Sequence, residues 1–135
     1  MKIMTAAEAV QLINSGESIY IQGSTSIPEV LSQALADRGA ELKDVTIYAA
    51  FAVGRCEAPY CKPEYKDSFN VKSLFVANNI RKWLAAGYGS TIPAFLGEIP
   101  GLFRDGTLPL DAVFLNVSPP NAEGYCSFGV SAVLA

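Results

Sequence analysis

The residues best suited to chemistry sit in four short polar segments. The first is Gln22-Gly23-Ser24-Thr25-Ser26-Ile27-Pro28, between an apolar strand pattern and a helical one. A glycine and small hydroxyl residues at a helix start leave backbone N–H groups to hold an anion. The same donors suit the oxyanion of a thioester under attack. The segment lacks the lysine and the glycine spacing of a phosphate-binding P-loop, and its single glycine does not make a dinucleotide fingerprint. An ordinary strand-to-helix turn with a capping serine is the alternative.

The second segment, Asn78-Asn79-Ile80-Arg81, offers amides and a guanidinium suited to a carboxylate or phosphate. A capping asparagine and a surface arginine are the plainer account. In the third, Gly87-Tyr88-Gly89-Ser90-Thr91-Ile92-Pro93, two glycines suggest a backbone that approaches something closely, or a simple turn. The fourth runs from Asn121 through Glu123 and Ser127 to Gly129; its lone glutamate reads as a surface residue.

What is missing narrows the chemistry. The chain has no histidine, so no Ser-His or Cys-His nucleophile can be built from it. Cys56 and Cys61 are five apart, which fits no usual zinc pattern, and the three cysteines with Cys126 read as free thiols. No metal site is expected. Ten basic residues stand against thirteen acidic ones without a basic run, which argues against nucleic acid. No apolar stretch is long enough to span a membrane and no secretory design opens the chain, so a cytoplasmic location is expected.

These segments need elements to position them. Thr5-Ala-Ala-Glu8 reads as a capping box that opens a helix, stopped at Asn14-Ser15-Gly16. Strands are expected at 18–22, 45–50, 71–77 and 111–117. Helices are expected from Pro28 to before Gly39, from Asn79 to Ala86, and across 95–104 with an interruption at Pro100. Residues 54–70 read as an irregular excursion. Strands alternating with helices imply an α/β fold: an open, mainly parallel twisted sheet with helices on both faces. In such sheets ligands gather beyond the carboxyl ends of the strands, where three of the polar segments would emerge. With 135 residues, 50% of them hydrophobic, one compact domain is expected. The segment 130–135 is apolar and uncapped, and reads as a truncation with surface left for following structure.

Taken in order, Thr5-Ala-Ala-Glu8, Gln22 through Pro28, Asn79-Ile-Arg81-Lys, Gly87 through Pro100, and Val117 through Ser131 resemble the acetyl-CoA hydrolase/transferase family. That family includes 4-hydroxybutyrate CoA-transferase-like and acetate-type enzymes. The resemblance implies the N-terminal domain, residues 1–135, of a two-domain α/β enzyme. Its substrates would be an acyl-CoA and a short-chain carboxylate, with coenzyme A as substrate and no separate cofactor. A glutamate from the C-terminal half would form the covalent intermediate. No segment here matches that glutamate motif, and Glu57, Glu98 and Glu123 lie in other contexts, so no catalytic residue is assigned to this chain. The implied substrate-binding residues are Gln22, Gly23, Ser24, Thr25, Ser26, Asn79, Arg81, Gly89, Asn121 and Ser127. A missing C-terminal domain or second chain, and self-association into a homo-oligomer, complete the expectation.

Overall fold

A computed structural model describes residues 2–50 and 58–132; Gly54, Cys56, Glu57 and the last three residues of the apolar segment 130–135 lie outside the described residues. The chain runs α1 (Ala6–Val10), β1 (Ser18–Ile21), α2 (Glu29–Asp37), β2 (Val45–Ala49), a 3-10 turn (Pro63–Tyr65), β3 (Phe69–Ser73), α3 (Asn78–Ala85), β4 (Ser90–Thr91), α4 (Ile99–Arg104) and β5 (Ala112–Phe114). The strands lie side by side in the order β4-β3-β2-β1-β5, and every pair is parallel. The expected α/β class holds.

Alternation along the central strands sorts side chains onto two faces. Ile19, Ile21, Val45, Ile47 and Val71 point to one core, which α1, α2 and α3 cover with Val10, Leu35, Ala36 and Ile80. Tyr20 and Tyr48 point to the other, where Ile99, Leu102 and Phe103 of α4 and its flank lie over them. Ile19 and Ile47 are fully buried; each such side chain contributes about 1.5–3 kcal/mol over exposure. The rings of Tyr20 and Tyr48 stand 5.8 and 5.3 Å from Phe103, tilted and edge-on.

The helix ends follow from local chemistry. Thr5 Oγ1 accepts the Glu8 N–H while a Glu8 carboxylate oxygen accepts the Thr5 N–H at 2.8 Å, completing the expected capping box. No basic residue of α1 meets its C-terminal carbonyls; Arg38, at the end of α2, donates to Val10 O and to Ile13 O instead. Gly39 has a reason the sequence did not show: a Cβ there would fall 2.3 Å from the Tyr65 ring. Pro100 opens α4 rather than interrupting it, as the first turn needs no N–H from it.

Two strands differ from expectation. β3 starts at Phe69, because Phe69, Val71 and Ser73 alternate inward against Asn70 and Lys72; the chain has left the sheet by Phe75, which is 54% exposed. β4 occupies Ser90–Thr91, expected as loop: two exposed polar residues paired only with β3 carry no strand pattern. β5 is also shorter than expected.

Burial raises three acidic protons, those of Tyr20, Tyr48 and Cys61. The Tyr20 hydroxyl is pushed up to about 12, by burial first and against the backbone hydrogen bond from Gly23. The Cys61 thiol is pushed up to about 11 by burial. Both folded values exceed the unfolded ones, so this stability is complete below about pH 9 and is lost as pH rises towards 12. Urea denaturation from pH 8 to 11.5 should show a falling midpoint above pH 9, and Tyr20→Phe should flatten the part above pH 10.

Candidate functional site

With all strands parallel, their carboxyl ends share one edge. β1 lies between β2 and β5, and the chain crosses from β4 back over the sheet to reach β5. β1 leads on through α2 on one face while β5 is reached through α4 on the other, so the winding reverses between β1 and β5, and open α/β sheets form their ligand crevice at the carboxyl edge of such a point. A cleft of about 450 Å³ opens there, lined by Thr25, Ile27, Glu29, Val30, Leu115 and Asn116. Its lining mixes the apolar side chains of Ile27, Val30 and Leu115 with the polar groups of Thr25, Glu29 and Asn116.

Gln22 directly follows β1 and is only 1% exposed. Its backbone N–H donates to Phe114 O at 3.0 Å, its Oε1 accepts the Asn116 N–H at 2.7 Å, and its Nε2 donates to Ser131 O at 2.9 Å. Sequence reasoning placed Gln22 among substrate-binding residues; its amide is instead bonded at both ends to the protein, where it joins β1 to the segment after β5. Next, Gly23 is buried and its N–H bonds to the Tyr20 hydroxyl. Ser24 holds a φ of 61°, a left-handed conformation that costs a non-glycine residue roughly 1 kcal/mol. Such strain persists where surroundings impose it and gathers at functional sites. Thr25 is exposed, Ser26 is buried, and the N–H groups of both have no hydrogen-bond partner among the described residues.

Asn79 does not cap α3: Ala77 stands at the cap, without a side-chain hydrogen bond. Asn79 instead faces Gln22 and Gly23 across a small cavity. Arg81 is exposed on α3. Gly89 precedes β4, at the opposite edge of the sheet from the crevice, beside a cleft lined by Lys62, Lys66 and Ser90. The close approach expected of this glycine is to the fold itself: a Cβ there would lie 2.8 Å from Leu84 Cδ2 and 2.9 Å from Val71 O.

Asn121 and Ser127 belong to an exposed arm held by its own hydrogen bonds. Asn121 Oδ1 accepts the N–H groups of Glu123 and Tyr125 at 3.0 and 2.9 Å, and Ser127 N–H donates to Ser118 Oγ at 2.9 Å. The arm presents Tyr125, Phe128 and Val130 to solvent. Asn116 and the apolar wall of the cleft were missed in the sequence; Asn116 sits inside a segment that reads as strand, and no local signal marks it.

Residues 1–135 match the family model described as the acetyl-CoA hydrolase/transferase N-terminal domain. The chain belongs to this family. A succinyl-CoA:acetate/propanoyl-CoA:succinate CoA transferase of Fasciola hepatica is 32% identical over 92% of this chain and 26% of its own length. The 4-hydroxybutyrate coenzyme A transferase of Clostridium kluyveri is 32% identical over 96% of the chain and 30% of its own length. Among solved structures, RipA from Yersinia pestis superposes with a TM-score of 0.83 at 26% identity, covering 96% of this chain and 32% of that one. The acetyl-CoA hydrolase/transferase domain described here thus spans under a third of the length of these relatives. Among its described residues, no helix is long and apolar enough to cross a membrane, and no group of three or more acidic, cysteine or histidine side chains is placed to hold a metal ion.

Two substitutions test this geometry. Gln22→Leu leaves the Asn116 N–H and the Ser131 carbonyl unpaired, and should cost about 1–3 kcal/mol per orphaned group by urea denaturation. Gly89→Ala should destabilise by about 1–3 kcal/mol, since Val71 O is backbone and cannot swing aside.

Proposed function

We propose that this chain forms the N-terminal wall of the active site of a CoA-transferase, which moves coenzyme A from an acyl-CoA to a short-chain carboxylate. The observation that carries the reading is the Ser24–Ser26 turn beside the crevice between β1 and β5, whose Thr25 and Ser26 N–H groups have no hydrogen-bond partner among the described residues, in a domain of this family. Each of the two relatives described above is named a CoA transferase.

The covalent steps need a glutamate carried by polypeptide outside this chain. Its carboxylate adds to the thioester carbonyl; the carbon–sulfur bond breaks, and an anhydride and CoA thiolate result. The thiolate then attacks the glutamyl carbonyl, releasing the first carboxylate and leaving a glutamyl-CoA thioester. An acceptor carboxylate reverses the sequence on its own carbon and takes the CoA. Each addition places negative charge on a carbonyl oxygen, and the Thr25 and Ser26 N–H groups can donate to it. Ser24 and Ser26 shape that turn, and Arg81 and Asn79 lie on the helix beside it. Where water instead of a carboxylate resolves the glutamyl thioester, the same wall serves a hydrolase.

The exposed arm fits this reading. Val117, Tyr125, Phe128 and Val130 are 42%, 71%, 40% and 93% exposed, and the arm leaves the crevice through Asn116, bonded to Gln22. The second half of the active site, supplied by further polypeptide or another chain, would cover them. Self-association in the cytoplasm is part of the same proposal.

The test is acyl transfer from acetyl-CoA to a panel of short carboxylates, followed by chromatography of the CoA esters. The chain alone should be silent. Joined to or mixed with the C-terminal part that such relatives carry, it should turn over, and Ser24→Ala and Arg81→Ala should lower kcat/KM by about tenfold or more. Unchanged kinetics in both variants, or turnover by the chain alone that one of its own glutamates abolishes, would refute the assignment.

A further inference from the structure

Beside the Gly23 turn lies a small space that none of the acyl-transfer steps uses. Gln22, Gly23, Ala49, Ala50, Tyr60 and Asn79 contribute to its walls. It leaves about 10 Å³ for the centre of a water-sized sphere, room for one water and too little for any acyl chain. Asn79 Oδ1 is buried and has no hydrogen-bond partner among the described residues. A buried amide oxygen without a partner is rare in native proteins, because leaving it bare forfeits its hydration. Gln22, the other side-chain amide at this wall, is already bonded at both ends. The main chain of Gln22 and Gly23 runs along the same wall and continues directly into Ser24–Ser26.

We infer that Asn79 holds a single ordered water in this space, donating a hydrogen to Asn79 Oδ1 and bridging the start of α3 to the strand end beneath the Ser24–Ser26 turn. Asn79 is then a positioning residue. It fixes the turn that carries Thr25 to the crevice, and it does not touch substrate. The strained Ser24 conformation is the sort of backbone that needs such a support. The water site stands on geometry alone; its use in catalysis rests on the acyl-transfer reading.

The decisive experiment is a crystal structure of the protein at a resolution that shows ordered waters. A peak within 2.7–3.2 Å of Asn79 Oδ1, with a second polar contact on the Gln22–Gly23 or β2 side, is the expected result. An empty space overturns the inference. So does Asn79 bonded directly to the Trp83 Nε1 hydrogen, since that indole nitrogen one turn later is also buried without a partner. Variants extend the test. Asn79→Asp keeps an acceptor in place and should keep the water and the amide-exchange protection of Gln22 and Gly23, whose N–H groups are hydrogen-bonded to Phe114 O and the Tyr20 hydroxyl. Asn79→Leu keeps the bulk, loses the acceptor, and should lower that protection about tenfold. Equal effects of the two variants on protection would overturn the positioning role. In the active assembly, kcat should follow protection while KM stays near its wild-type value. If wild-type protein shows no transfer at all, the acyl-transfer reading fails while the diffraction and exchange results still decide the water site.

Discussion

The architecture of the crevice depends on the hydrogen bonds of the Gln22 side chain. β1 and β5 are far apart in sequence, and only three register pairs join them. Beyond Phe114 the ladder ends, yet the two strand ends must stay together for a cleft to form between their outgoing loops. Gln22 extends the pairing by side chain, accepting the Asn116 N–H and donating to the Ser131 carbonyl. A buried amide is unfavourable unless every polar atom is met, and here both ends are met. The arm from 117 to 130 is thereby held at its two roots, which lets the residues between them project without packing on the body.

At the other end of the sheet the same junction is closed by charge-assisted bonds. Asp111 accepts the Ser18 N–H through Oδ2 at 2.8 Å, while its own N–H donates to Ser18 O at 2.8 Å. β5 is an edge strand of three residues, too short to hold its place by ladder bonds alone. Polar side chains at each end, Asp111 and Gln22, align it against β1. Both cores contain aromatic rings, but only under α4 do tyrosines project from the central strands, Tyr20 from β1 and Tyr48 from β2, and bring polar tips into the interior. One of these tips, that of Tyr20, takes the Gly23 N–H. The core under α4 therefore reaches the functional turn directly, and packing on that face and the shape of the crevice are not independent.

Much of the fold was legible locally. The capping box at Thr5 and Glu8, the apolar runs of β1 and β2, and the left-handed Gly87 after α3 all have short-range causes, and each stands where the pattern placed it. The candidate site was legible in part. The Gln22–Ser26 turn does reach the carboxyl edge at the β1–β5 crevice. Gly89 was read as a place of close approach, and it is one, but its neighbours are Val71 and Leu84 at the opposite edge. Asn79 looked like a possible cap, whereas the cap is Ala77 and the amide turns inward. β4 was invisible, because two exposed polar residues gain strand geometry only from β3 beside them.

The sequence by itself determined the α/β class, the spacing of its strands and helices, and the kinship to acetyl-CoA hydrolases/transferases. Each of these rests on short-range periodicity or on ordered motifs that survive without knowing what touches what. Only the tertiary structure decided which of the polar residues and glycines serve the fold. Gln22 is committed to Asn116 and Ser131, and Gly89 to close contact with Val71 and Leu84. Those commitments depend on contacts between residues up to 109 positions apart, and residue type at a position does not reveal whether its hydrogen bonds are already taken.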